Sequence, residues 1–198
     1  MTDNRTLSYY DTNAEAFFAE TVDVYMSPLY GRFLDRIPAG GPIVDAGCGF
    51  GRDAKAFMER RYQVTAFDAS LTLAQKASGL LGIKVQCRIF DDVTEVDTFD
   101  AVWACASLLH LPRSELSAAI GKLAHALRAD GVLYASFKAG TGERIDTAGR
   151  HFTDMTSASL HSLLDHHAYL GVIDVWQTTD RRSDRPGQSW WNVLAYRM

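Results

Sequence analysis

Apolar positions in this chain follow two rhythms. Compact runs of β-branched, aromatic and small apolar residues occur at 43–46, 63–67, 83–90, 99–105, 132–137, 172–177 and 191–196. Runs of this length bounded by glycine, proline or acidic residues predict strands. Between them the apolar residues recur every three or four positions, as helices require. Leu29, Phe33, Leu34 and Ile37 form one such stripe, and Ala54, Phe57 and Met58 a second over about 51–60. Leu71, Ala74, Ala77 and Leu81 form a third, Leu116, Ile120, Leu123 and Leu127 a fourth, and Leu160, Leu163 and Leu164 a fifth. Gly82 and Asp130-Gly131 are stop signals, and Pro112 and Thr156 are start signals. Five strands alternating with helices predict an α/β, doubly wound parallel sheet with right-handed crossovers.

Ahead of the first strand, residues 1–38 read as helical. Asn13 is placed to cap a helix carrying Phe17 and Phe18, and Ser27-Pro28 to start another. The break at 38–42, Pro-Ala-Gly-Gly-Pro, launches the strand. We therefore expect one domain, with a helical preface at 1–38 and a ligand-binding core at 39–198. The preface either lies across the carboxyl edge of the sheet as a partial lid or covers the sheet's flank.

Composition narrows the classes. The 198 residues are enough for a proper core, and 47% hydrophobic with 22% charged residues is ordinary for a globular protein. A net charge of -4 argues against a broad nucleic-acid footprint. Three cysteines, an odd number without metal-ligand spacing, fit a reducing cytoplasm better than a disulfide framework. No apolar run reaches membrane-spanning length, and the polar start is unlike a secretory signal.

The most informative stretch is Ile43 to Asp53, a buried strand, a bend with three glycines and a helix start. Gly47, Gly49 and Gly51 allow positive φ and bring backbone close to a ligand. The following helix offers its free N–H groups. A dinucleotide loop wants G-x-G-x-x-G, but here the third glycine falls one residue early and Arg52 holds that place. Asp45, directly before the bend, would repel a pyrophosphate and attract a cation.

Acidic residues recur at the later strand ends. Asp68 lies 23 residues after Asp45, close to the interval of roughly 20 at which a carboxylate meets a ribose diol, although an Asp there also suits a helix cap near Ser70. Phe90 or Val93 could wall an adenine slot, and Asp91 or Asp92 could accept from its amino group. After the fourth strand, small residues at 104–107 leave room for a ligand, and His110 is a candidate general base. His161, His166 and His167 suit a solvated helix face better than a metal site.

The pattern Asp45-x-Gly47-x-Gly49-x-Gly51 resembles motif I of the class I S-adenosylmethionine (SAM) dependent methyltransferases. Tyr9-Tyr10-Asp11, Gly51-Arg52-Asp53 and the run 104–110 resemble those of a narrower bacterial group similar to the tellurite-resistance-type methyltransferases. The resemblance implies a Rossmann-like sheet of seven strands in the order 3-2-1-4-5-7-6, strand 7 antiparallel. It implies that Asp45, Gly47 and Gly49 hold the methionine part of SAM, Asp68 the ribose, Asp91 and Asp92 with Phe90 the adenine side, and Ala104 the amino group. Arg52 and Tyr10 would meet the carboxylate, and Cys48 and Ala69 count among the cofactor-binding positions. S-adenosylhomocysteine (SAH) would be the product.

The implied reaction is in-line displacement at the methyl carbon, which needs a base only when the nucleophile carries a proton. His110 is the candidate, with Tyr10 and Cys105 behind it. Arg144, Arg150, Arg181, Arg182 and Arg185 suggest a small anionic acceptor. No metal, membrane or nucleic acid is expected. The rivals are a non-catalytic SAM-binding sensor or partner subunit and, further off, a nicotinamide oxidoreductase.

Overall fold

In the computed structural model, residues 4–180 and 187–198 are described. Their main sheet has seven strands in the order β3-β2-β1-β4-β5-β9-β8. These are β1 (Pro42–Ala46), β2 (Gln63–Asp68), β3 (Gln86–Cys87), β4 (Phe99–Ala104), β5 (Leu127–Lys138), β8 (Leu170–Thr179) and β9 (Ser189–Arg197). The first five are parallel, and β9 runs antiparallel to both β5 and β8. The expected order is therefore the observed one.

Helices cover both faces. α6 (Arg113–Ala126) and α7 (Ser157–Asp165) bury Leu116, Ile120, Leu160 and Leu164 against Val102, Leu133 and Val193. On the opposite face, α3 (Ser27–Leu34) and α4 (Arg52–Glu59) pack Tyr30, Phe33 and Phe57 around Trp103 and Tyr134. Trp103 and Tyr134 stack at 3.9 Å between ring centroids, and both are fully buried. α5 (Leu71–Leu81) closes the β2 side with Ala74, Ala77 and Leu81.

The helical preface divides. α3 covers the sheet's face, whereas α1 (Asn4–Thr12) and α2 (Ala14–Thr21) cross its carboxyl edge. Asp11 accepts from Ser70 Oγ at 2.5 Å, Thr6 Oγ1 accepts from the His151 N–H, and Phe17 packs edge-on against Phe50. Asn13 holds the N-cap position of α2, but its side chain donates backward to the Tyr9 carbonyl. Ser27 is the first residue of α3 rather than its cap.

The fourth helical stripe ends early: Leu127, expected as its last apolar position, and Asp130-Gly131, expected as its stop, belong to β5, because α6 ends at Ala126. Two further expectations on secondary structure differ from the structure. The third strand shrinks to Gln86–Cys87, because Val85 and Ile83 turn into the α5 cluster instead of extending the ladder. The polar segment after β5 is not a plain loop. It holds a ribbon of β6 (Glu143–Ile145) against β7 (His151–Thr153), separate from the main sheet. No helix among the described residues is long and apolar enough to cross a membrane.

Candidate functional site

The strand ends converge on a cavity of about 230 Å³ between the glycine bend, α1, β5 and the β8–β9 pair. The bend after β1 is held by backbone. The N–H groups of Gly47 and Cys48 both donate to the Phe67 carbonyl, at 2.9 and 3.0 Å. The Gly49 N–H donates to Asp68 Oδ2 at 2.8 Å. Gly47 sits at φ +80°, and a Cβ there would lie 2.4 Å from the Ser107 Cβ, so both conformation and space demand glycine. The loop after β4 is strained to match: Ala106 adopts φ +52° and donates its N–H to Ser136 Oγ. That turn carries Cys105, Ala106 and Ser107 along the cavity wall.

Of the residues singled out in the sequence, Tyr10, Gly47, Cys48, Gly49, Arg52, Asp68, Ala69, Phe90 and His110 all line this cavity. Asp45, Asp91, Asp92 and Ala104 are not among its lining residues. Asp45 is 2% exposed and accepts the Ala54 N–H at 3.0 Å, capping α4 from behind the bend. Burial, then the neighbouring Asp53, pushes its carboxyl well above the usual range. Asp91 pairs at the surface with Lys122, and Asp92 accepts the Ile89 N–H. Ala104 is fully buried in β4. Asp68 lines the cavity from the end of β2, where its Oδ1 accepts from the Ser70 N–H at the start of α5 and its Oδ2 from the Gly49 N–H of the bend.

Arg52 is committed to Asp53. Its Nε and Nη2 meet Oδ1 and Oδ2 at 2.6 and 3.0 Å, and Nη1 donates to the Thr21 carbonyl. Asp53 also accepts from Tyr30 Oη at 2.6 Å and Trp103 Nε1 at 2.8 Å. Burial works to raise the Asp53 carboxyl, but the Arg52 charge and these hydrogen bonds hold it low. Nothing in the sequence marked Asp53 as the partner of Arg52, because its other donors lie 23 and 50 residues away.

His110 is 8% exposed in a short 3₁₀ turn after β4. Its Nδ1 lies 2.7 Å from the His151 carbonyl and its Nε2 2.9 Å from Tyr10 Oη. Burial pushes its pKa down to about 4, and pushes that of Tyr10 up to about 12. The same cavity end carries Ser136, Lys138, Phe152, Trp190 and Asn192, which the sequence reading did not single out. They are contributed by β5, β7 and β9, and no local motif joins them.

Arg144 and Arg150 are each held by a carboxylate, Asp154 and Asp146 respectively. Arg181, Arg182 and Arg185 lie outside the described residues. His161 and His166 bond to helix carbonyls at the surface, while His167, past the end of α7, is 7% exposed and bonded to Ser117 and Tyr169.

Residues 43–131, which include the glycine bend and the strands β1 to β4, match the family model of a methyltransferase domain. No curated protein matches the sequence significantly. Several solved structures share the fold across nearly the whole chain. The Burkholderia thailandensis 1,6-didemethyltoxoflavin-N1-methyltransferase, solved with 1,6-didemethyltoxoflavin and SAH, is 21% identical with a TM-score of 0.76, over 97% of this chain and 85% of that one. The [4+2]-cyclase SpnF is 17% identical with a TM-score of 0.76, over 96% and 94%. DhpI, solved as its SAH complex, is 23% identical with a TM-score of 0.65, over 96% and 94%. Likeness at these identities is one of fold, and the same fold serves a cyclase, so chemistry has to be argued from the site.

Proposed function

We propose that this protein binds SAM and transfers its methyl group to a small-molecule acceptor. The observation that carries the reading is the glycine bend, pinned by the Phe67 carbonyl and Asp68 and opening into a cavity that Ala69 and Phe90 also line. The cradle fits such a ligand: Gly47 and Gly49 present bare backbone, and Asp68 sits where a ribose diol would donate to it. Ala69 and Phe90 supply apolar surface for the adenine ring. Arg52 and Tyr10 line the wall at which the ligand's carboxylate would sit, and the turn after Ala104 the wall for its amino group. The matching domain model over 43–131 and the SAH held by two of the structural neighbours support the same reading.

SAM supplies an activated methyl on a cationic sulfur, whose departure leaves a neutral sulfide. The chain's contribution is to exclude water and to hold an acceptor in line with the C–S bond. α1 and α2, crossing the carboxyl edge, cover the cavity and serve as its lid. The test is calorimetric titration with SAM and SAH, followed by detection of SAH released from SAM with a panel of acceptors. Binding with release supports the transferase. Binding without release across the panel supports a sensor, and no binding of either ligand refutes the reading.

A further inference from the structure

The turn that follows β4 is bound at successive residues to the elements on either side of it. β4 pairs with β5 as far as Ala104 against Ala135, and there the ladder ends. Ser136, the next residue of β5, continues the contact with its side chain. Its Oγ accepts the Ala106 N–H at 2.9 Å and donates to Cys105 Sγ at 3.7 Å. On the other side, Ser107 Oγ donates to the Ala46 carbonyl at 2.7 Å, next to the glycine bend. Resting on the reading above, we propose that Ser136 is a positioning residue of the cofactor site: it holds Ala106 in a left-handed conformation and so aims the turn at the amino group of SAM.

The backbone explains why the turn needs holding. Ala106 adopts φ +52°, where an L side chain is crowded by its own main chain. Such a residue stays there only when its surroundings over-determine it. Released, an alanine relaxes to the right-handed or extended region and rotates the two peptide groups that flank it. Those peptides carry the carbonyls of Cys105 and Ala106, and carbonyls are the acceptors that an ammonium needs. Ser136 supplies the constraint from a fixed place. It is 3% exposed, so little water competes for its oxygen, and its backbone is paired with Asn192 of β9.

The turn is also the part of this wall that a ligand meets. Cys105, Ala106, Ser107 and Ser136 line the cavity, whereas Ala104, the residue expected at the amino group, is fully buried in β4. Ser107 forms the fixed side of the turn. It is committed to Ala46, and a Cβ at Gly47 would lie 2.4 Å from its own Cβ, so it has no room to move toward the bend. Ser136 governs the other side, through one hydrogen bond to the strained residue.

The experiment measures, by calorimetry, the binding of SAH and of its analogue with hydrogen in place of the amino group. The wild type is expected to bind SAH at least about tenfold more tightly than the analogue. Ser136→Ala should cut that preference to about threefold or less by weakening SAH, with the analogue's affinity unchanged. Ser136→Cys is nearly isosteric and a weaker acceptor. It should fall between the two, and it carries the test if Ser136→Ala does not fold. Glycine adopts the left-handed conformation without strain. In an Ala106→Gly background, Ser136→Ala should therefore cost less of the preference than it does alone. No preference in the wild type, or equal weakening of both ligands by the Ser136 variants, overturns the positioning role. A loss of the same size with and without Ala106→Gly overturns the route through Ala106. Failure of SAH to bind the wild type would strike the proposed function. Normal SAH binding with a preference that Ser136 does not move would strike this inference alone.

Discussion

Around the glycine bend, hydrogen bonds run from backbone to backbone and to one carboxylate. Around His110 they run between groups on elements 41 and 100 residues apart. The cofactor end is therefore set chiefly by main-chain conformation, with Asp68 as the side chain that fixes the bend. The acceptor end is set by side-chain identity, and its backbone is ordinary strand and turn apart from Ala106. The two ends should break differently: the first by small changes that add a Cβ, the second by changes that remove a polar partner.

The largest effect is expected at the support the two ends share. Asp53 is 6% exposed and joins Arg52, Tyr30 of α3 and Trp103 of β4. Asp53→Ala leaves a buried guanidinium and two buried donors without their acceptor. It should cost about 3–5 kcal/mol of stability, measured by urea unfolding. A loss below about 1 kcal/mol would mean that water replaces the carboxylate and that the ends stand independently.

Gly47→Ala follows, and it isolates the cofactor end. The substitution combines strain at φ +80° with a 2.4 Å approach to the Ser107 Cβ. We expect a loss of at least about 2 kcal/mol in stability or SAH binding, read by thermal unfolding and calorimetry. Adding Ser107→Gly should return the part due to contact and leave the part due to strain. Complete rescue would show that the backbone at this bend is not the constraint.

How far each end could be read from the sequence follows from the same contrast. Strand order, the crossovers and the bend were legible because they depend on local periodicity and on glycines within five residues of one another. Asp68 was legible because a strand end fixes its place. The ribbon of β6 and β7 was not, since Glu143, Arg144, His151 and Thr153 give no apolar alternation, and its strands pair only with each other. Lys138, Asn192 and Trp190 were not, because antiparallel pairing of β5 with β9 brings them together across more than fifty residues. The reading of His110 as a candidate base rested on its residue type and its place after the fourth strand. Its partners, a hydroxyl in the preface and a carbonyl in the ribbon, are visible only in three dimensions.

The third prediction concerns the acceptor end and acid. His110 is depressed to about 4 from the ordinary 6.5, so the folded state favours the neutral ring. Its contribution to stability is present above about 6.5 and is lost as pH falls through about 4. The loss should total about 2–3 kcal/mol, and His110→Gln should lose less on the same acid titration, followed by unfolding at each pH. Equal acid sensitivity in both proteins would mean that the ring is already charged or accessible.

The smallest effect is at Asp68, and it has the opposite pH sense for stability and for binding. Burial raises its pKa to about 6, against the Ser70 and Gly49 N–H groups that hold it down. A raised carboxyl stabilises the fold at low pH, and that contribution fades as pH rises through about 6. Binding runs the other way, because ribose hydroxyls donate to the ionised carboxylate. SAH affinity should therefore be level above about pH 7 and weaken about tenfold, or about 1.4 kcal/mol, between about pH 7 and pH 5. Asp68→Asn should bind more weakly and lose this slope. If calorimetry finds wild-type affinity flat over that range, the carboxylate serves the bend and the start of α5 only, and the cofactor end would be a purely main-chain site.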